Sequence, residues 1–202
     1  MKKYELTTET LQFAGRTLHR IKALRDFGSV KEGQFGGWIE NEKNLSQDDN
    51  AWIYGEAMAF DNAKVFGNAI VCNYAEVYDD AKVYDNACVY GYAKVYDKAN
   101  VYNNANVFDY AEAYGNVRIY GKATINGDAK VHDDADYIVF KNFWSSGRYF
   151  TWTRSNNKWS VGCFYGTGEE MIKKAYADSD TSGREYERVV RYVESILADE
   201  RK

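Results

Sequence analysis

Proline is absent from all 202 residues, an unusual omission against an average of about 5 %. Histidine occurs twice and cysteine three times. Two histidines, His19 and His132, cannot furnish a three-histidine zinc centre, and no DxDxDG-like calcium loop occurs. Neither a metal nor a cofactor is therefore expected. Cys72, Cys88 and Cys163 are an odd, sparse set rather than a disulfide framework, which fits a reducing compartment. No apolar run approaches the roughly 18–20 residues of a membrane span, and MKKYELTTET lacks the apolar segment of a secretory signal. The expectation is a soluble, cytoplasmic protein with no membrane partner. Positive charge is scarce where it would matter for nucleic acid. Lys+Arg minus Asp+Glu is 7−4 = +3 over residues 1–32, 8−16 = −8 over 33–134 and 11−10 = +1 over 135–202. An acidic centre argues against direct binding to a phosphate backbone, which needs clustered cations.

What the chain has instead is one six-residue phrase, repeated fourteen times without insertion from Ala51 to Asp134. The phrase is alanine, a variable residue, valine, an aromatic and two turn-formers; AKVFGN (63–68), AEVYDD (75–80), AKVYDN (81–86) and AKVYDK (93–98) are typical. A fixed short period means that each repeat buries its apolar side only by stacking on its neighbours. Strand alternation puts Ala63 and Val65 on one face and Lys64 and Phe66 on the other. Gly67-Asn68 then supplies a tight corner, because Gly, Asn and Asp tolerate the left-handed backbone. So short a strand with a corner after it makes the chain coil in one direction. Alanine and valine fill a narrow interior, and successive coils stack roughly 4.8 Å apart.

Sorting by eighteen, three hexads to a coil, separates three faces. The first carries Trp52, Ile70, Cys88, Asn106 and Thr124 beside Tyr54, Cys72, Tyr90 and Phe108, with no charge. The second reads Met58, Glu76, Lys94, Glu112, Lys130 beside Phe60, Tyr78, Tyr96, Tyr114 and His132, so that opposite charges alternate up the face. The third has Lys64, Lys82, Asn100 and Arg118 beside Phe66, Tyr84, Tyr102 and Tyr120, and one corner stacks Tyr74, Tyr92 and Tyr110. An uncharged face several coils tall exceeds what a soluble monomer leaves open. Trp52, Tyr54, Ile70, Cys88, Tyr90 and Phe108 are accordingly expected to be covered, by another subunit of a dimer or trimer or by the chain's own terminal segments.

The ends differ from the middle. Residues 1–32 read as a β-hairpin cap turning at Ala14-Gly15, and 33–50 as an imperfect first coil with Ile39 and Leu45 at the alanine position. After Asp134 the period fails. YIVFKNF and GRYFTWTRSNNKWSVGCFYG read as strands, with a turn at Ser155-Asn156-Asn157. A first helix begins at Thr167, with Glu170 completing a capping box. A second buries Tyr186, Val189, Val190, Val193, Ile196 and Leu197 at i, i+3, i+4 spacing, with the break at Ser182-Gly183. Residues 135–202 thus form a small α+β unit beside the β-helix of 33–134.

The hexads resemble those of the left-handed parallel β-helix, which implies about 5–6 triangular coils in a mainly β protein. The Tyr-Gly-Asn-Ala phrases, LHRIKALRDFGSVKEGQFGGWIE and SSGRYFTWTR…VGCFYGTGEE are similar to hexapeptide-repeat proteins of bacteriophages and prophages. The unbroken repeat, the shortage of catalytic residue types and that resemblance together point to a non-enzymatic scaffold in a bacterial host cell that engages a host protein or other macromolecule, as in counter-defence. Many left-handed β-helices are acyltransferases acting on acyl-CoA or acyl-carrier protein, often trimers with a histidine base at the subunit boundary. Under that alternative His132 is the candidate, although it also simply continues the aromatic column. The acidic corners and the tyrosine columns are explained by corner chemistry and by outer cladding. A third possibility is a small anionic ligand such as a nucleotide, held by Ser146, Gly147, Arg148, Arg154 and the helix start at Thr167, since guanidinium groups and exposed amides favour anions.

Overall fold

The structure, a computed structural model, describes residues 2–200. It divides into two compact units, 1–136 and 137–202. In the first, each hexad forms one two-residue strand, giving fourteen from β4 (Trp52–Ile53) to β17 (Lys130–Val131). Each strand pairs in parallel with the one eighteen residues on: Lys64 with Lys82, Cys88 with Asn106, Glu112 with Lys130. Three parallel stacks result, and the chain is a β-solenoid of about five coils. The first and third residues of every hexad, from Ala51 to Val131, are buried. The alanine position holds alanine in every hexad but one, where Val117 is buried in its place.

The corners explain the acidic composition. Asp61, Asp79, Asp85, Asp97 and Asp109 all have φ between 54° and 60°, the left-handed region that Asp and Asn tolerate best after glycine. Their carboxylates do a second job. Asp79 accepts from the Asp97 amide (3.2 Å), Asp97 from the Gly115 amide (3.0 Å), Asp85 from Asn103 (3.1 Å) and Asp109 from Gly127 (3.2 Å). Four of the five corners therefore tie down the amide one coil further on, while Asp61 accepts from Arg16. Asparagines extend the device through Asn50–Asn68–Asn86 amide bonds of 3.0 and 3.1 Å.

The N-terminal hairpin, β1 (Tyr4–Phe13) and β2 (Arg16–Ala23), turns at Ala14-Gly15 with φ 49° and 78°. β2 pairs antiparallel with β3 (Phe35–Ile39), and β3 pairs in parallel with β5 (Met58–Ala59). The cap is thus continuous with one solenoid sheet, eight strands in all. Ile39 lies opposite Ala59 and Leu45 opposite Val65. Both occupy the valine column rather than the expected alanine position, because β3 enters the coil two residues out of the expected phase. Lys3 is wholly buried and donates to the carbonyls of Ala51 (2.9 Å) and Asp49 (3.1 Å). Burial pushes its pKa down to about 8, with Asp49 opposing.

The second unit is an antiparallel sheet of β18 (Tyr137–Lys141), β19 (Tyr149–Thr153), β20 (Lys158–Val161) and β21 (Phe164–Gly166), followed by α1 (Gly168–Asp178) and α2 (Asp180–Asp199). It has its own core, in which Phe150, Trp152 and Trp159 meet Met171, Tyr186 and Val190. Thr167 and Glu170 form the capping box. The helix break falls at Ser179, which caps α2, and not at Ser182-Gly183. Gly183 lies inside α2 because a β-carbon there would come within 2.2 Å of the Tyr176 ring; it permits the two helices to touch.

Candidate functional site at the last coil

The last hexad, Ala129 to Asp134, departs from its predecessors at the aromatic position. Phe60, Tyr78, Tyr96 and Tyr114 stack at 5.0–5.1 Å with interplanar angles of 1–6°. His132 continues the column at 5.6 Å but tilts 49° out of it. Space for the tilt comes from Gly115, where a β-carbon would meet the His132 carbonyl oxygen at 2.6 Å and its Cδ2 at 3.0 Å. The short turn Asp134–Asp136 that follows β17 then brings carboxylates around the ring.

Each of the three aspartates is fixed. Asp136 Oδ2 accepts from the amides of His132 (2.9 Å) and Asp133 (3.1 Å), and Asp133 Oδ1 accepts from the Ala135 amide (2.8 Å). Asp134 takes the amide and guanidinium of Arg118. Burial alone would raise the Asp134 carboxyl, but Arg118 outweighs it and holds the group below its usual range. His132 Nδ1 is left 3.5 Å from Asp133 and 3.7 Å from Asp136, with its side chain 59 % exposed. Carboxylates on that side favour Nδ1 as the N–H of a neutral imidazole and Nε2 as its acceptor nitrogen. His132, Asp133 and Asp136 also offer ligand atoms within 4.8 Å of one another, so the same trio could hold a cation.

Of the other expected residues, Ser146 and Arg148 lie together, and Arg154 and Thr167 are engaged elsewhere. Arg154 is clamped by Glu200 at 2.7 and 3.1 Å, Thr167 is spent on its capping box, and the Ser146 hydroxyl meets that of Tyr186 at 3.3 Å. Gly147 has a positive φ in an exposed turn. Arg148 donates its amide to Ser146 Oγ at 3.3 Å and lines a narrow recess with Cys163, Lys174, Asp178 and Tyr186. His19 sits in the hairpin, its Nδ1 3.3 Å from the Thr7 carbonyl.

Covering of the uncharged face is confined to its first coil. Tyr4 and Phe27 pack edge-on against Trp52 at 6.0 and 5.3 Å and bury it completely. Tyr54 meets Ser29 at 3.0 Å. Higher up, Ile70 is 36 % exposed, and Cys88, Tyr90 and Phe108 are half-buried. The N-terminal segment thus supplies the expected cover at Trp52 and does not reach Ile70, one coil higher. Burial raises the Cys72 and Cys88 thiols, so neither is an activated nucleophile.

Comparison with known proteins adds one relation. No family model matches the chain. It is 39 % identical over 77 residues to the uncharacterized acetyltransferase YdcK of Escherichia coli (strain K12). That stretch covers 34 % of this chain and 24 % of YdcK. The chain thus spans about a quarter of the length of the curated relative it matches. Likeness of sequence and a solenoid built of hexads both fit the hexapeptide-repeat architecture.

Proposed function

We propose that the protein is an acyltransferase of the hexapeptide-repeat type, with His132 as general base. The observation that carries this reading is the imidazole turned out of its column, flanked at Nδ1 by Asp133 and Asp136 and more than half exposed. The name of the relative, an acetyltransferase, supports the same chemistry. Nε2 would take the proton from an acceptor hydroxyl or amine as that atom attacks the carbonyl of an acyl thioester. The carbon–sulfur bond then breaks, and the imidazolium returns the proton to the departing thiolate. A positioned base of this kind contributes about 10²–10⁴-fold.

The test is thiol release from acetyl-CoA together with the shift in melting temperature at millimolar acetyl-CoA. Binding to the native state should raise the midpoint, and His132→Asn should keep that shift while losing about 10²-fold or more in turnover. No shift with the wild-type protein would sink the proposal.

A second reading is favoured by a different observation. Tyr74, Tyr92 and Tyr110 form a stacked corner ladder at 5.0 and 5.2 Å, each more than half exposed. Such an exposed aromatic ladder suits a non-enzymatic scaffold that engages a host protein. Capture from bacterial lysate by the wild-type chain, but not by a Tyr92→Ala/Tyr110→Ala variant, is the outcome this reading requires.

A further inference from the structure

The second and third faces of the solenoid handle charge in opposite ways. On the second, Lys94 lies between Glu76 and Glu112 in register, and Lys130 follows Glu112, with ion pairs of 3.3 and 2.9 Å. On the third, Lys64 lies directly opposite Lys82. Like charges in register on adjacent strands are destabilising, and the strands are only roughly 4.8 Å apart. Arg118, higher on this face, has Asp134 as its partner. Lys64 and Lys82 have no carboxylate within ion-pair distance among the described residues.

Two further lysines join them from elements that sequence sorting keeps apart. Lys43 comes from the short turn Glu42–Asn44, and Lys98 from the corner one coil above Asp80. Together the four line a cleft of about 560 Å³, within the usual range for small-ligand sites. Neither Lys43 nor Lys98 has an ion-pair partner among the described residues; Lys43 bonds only the Asn62 amide oxygen, at 3.1 Å. Asp80 is the one carboxylate lining the cleft, and it accepts from Asn62 at 3.2 Å. Four ammonium groups against one carboxylate give 4−1 = +3, in a segment whose net charge is −8.

We propose that this cleft binds a small oligophosphate, two or three linked phosphate groups, at a site distinct from His132. Lysine serves phosphate as a mobile point charge. Ammonium groups on successive rungs suit linked phosphates better than one compact anion. A nucleic acid fits less well, since its backbone would continue past the cleft over Asp79, Asp85 and Asp97 at the neighbouring corners. The site does not rest on the acyltransferase reading: His132 stands three coils higher on another face.

Titration calorimetry of the full chain with tripolyphosphate, orthophosphate and sulfate at matched ionic strength tests the proposal. Tripolyphosphate should bind about tenfold or more tightly than either single anion. Lys82→Ala should weaken it at least about fivefold, whereas Lys94→Ala, on the charge-alternating face, should not. Without ligand, Lys82→Ala should melt no lower than wild type, because it relieves the contact with Lys64; this separates lost binding from lost folding. Equal affinity for the three anions, or equal losses in the two variants, would overturn the site. So would a short single-stranded oligonucleotide that displaces tripolyphosphate at equal phosphate concentration. Failure of the thiol-release assay leaves these readouts untouched, whereas a melting shift with acetyl-CoA, which itself carries a diphosphate, counts for the His132 site only where Lys82→Ala retains it.

Discussion

Asp97 offers the sharpest test of how the solenoid is held. Its φ is 55°, its carboxylate accepts from the Gly115 amide at 3.0 Å, and its own amide donates to Asp79 at 3.2 Å. Asp97→Ala forces an alanine into the left-handed region, at about 1–2 kcal/mol, and removes an inter-coil bond worth about 0.5–1.5 kcal/mol. The expected loss is about 2–3 kcal/mol. Asp97→Gly relieves the backbone but still loses the bond and loosens the unfolded chain, for about 1.5 kcal/mol. Asp97→Asn keeps a carbonyl acceptor and a residue that tolerates the conformation, so it should stay within about 0.5 kcal/mol of wild type. For a chain of this size the alanine variant should melt about 4–12 °C lower. Calorimetry gives the order Asn, Gly, Ala, and hydrogen exchange should show Gly115 losing protection in the alanine and glycine variants. An alanine variant as stable as the asparagine one would refute the corner mechanism, and an asparagine variant as weak as alanine would refute the acceptor role.

Two further outcomes follow from burial. Lys3, with a folded pKa of about 8 against an unfolded value of 10.5, binds fewer protons than the unfolded chain between those values, so its penalty is full below pH 8 and stability rises above it. Phenols run the other way: Tyr78 is pushed up to about 12, chiefly by burial, and Tyr4 and Tyr96 are also raised. Stability that is full below pH 10 is then lost as pH climbs towards the folded values, so urea midpoints should peak between pH 8 and 10; a continuous fall from pH 8 would contradict the Lys3 assignment. Gly183→Ala should destabilise the helical pair by about 1–3 kcal/mol, the usual range for overpacking, seen as a lower midpoint in Tyr176 and Tyr186 exposure. An unchanged midpoint would mean that the helices separate at little cost.

The period of eighteen made much of this molecule legible, because one phrase states interior, face and corner at once. The Glu76–Lys94–Glu112–Lys130 alternation and the stacked aromatic columns follow directly from it. The corner aspartates were readable as turn-formers but not as acceptors, though the signal exists: a carboxylate recurs one period before the amide it serves. Register failed at Ile39 and Leu45, where β3 answers to the hairpin as well as to the coil. The helix break failed because Gly183 was taken for a stop when it is a contact. Lys43 and Lys98 escaped notice as partners of Lys64 and Lys82 since they belong to a turn and a corner, outside the columns that sorting compares. His132 was placed in the right column, but its tilt and its two carboxylates depend on the turn at Asp134–Asp136, where the repeat has already ended.

The coil of eighteen also quantises change in this chain. Loss or gain of a whole coil leaves every remaining column in place, so the body can lengthen or shorten without either end being redesigned. An indel of six keeps each corner and each buried alanine yet rotates everything after it by one face. Deletion of 75–80, for instance, would set Lys94 above Ile70 and Lys98 above Tyr74, which parts the Tyr74–Tyr92 stack. Local foldability and surface identity are thus inherited on two different rulers, one of six residues and one of eighteen.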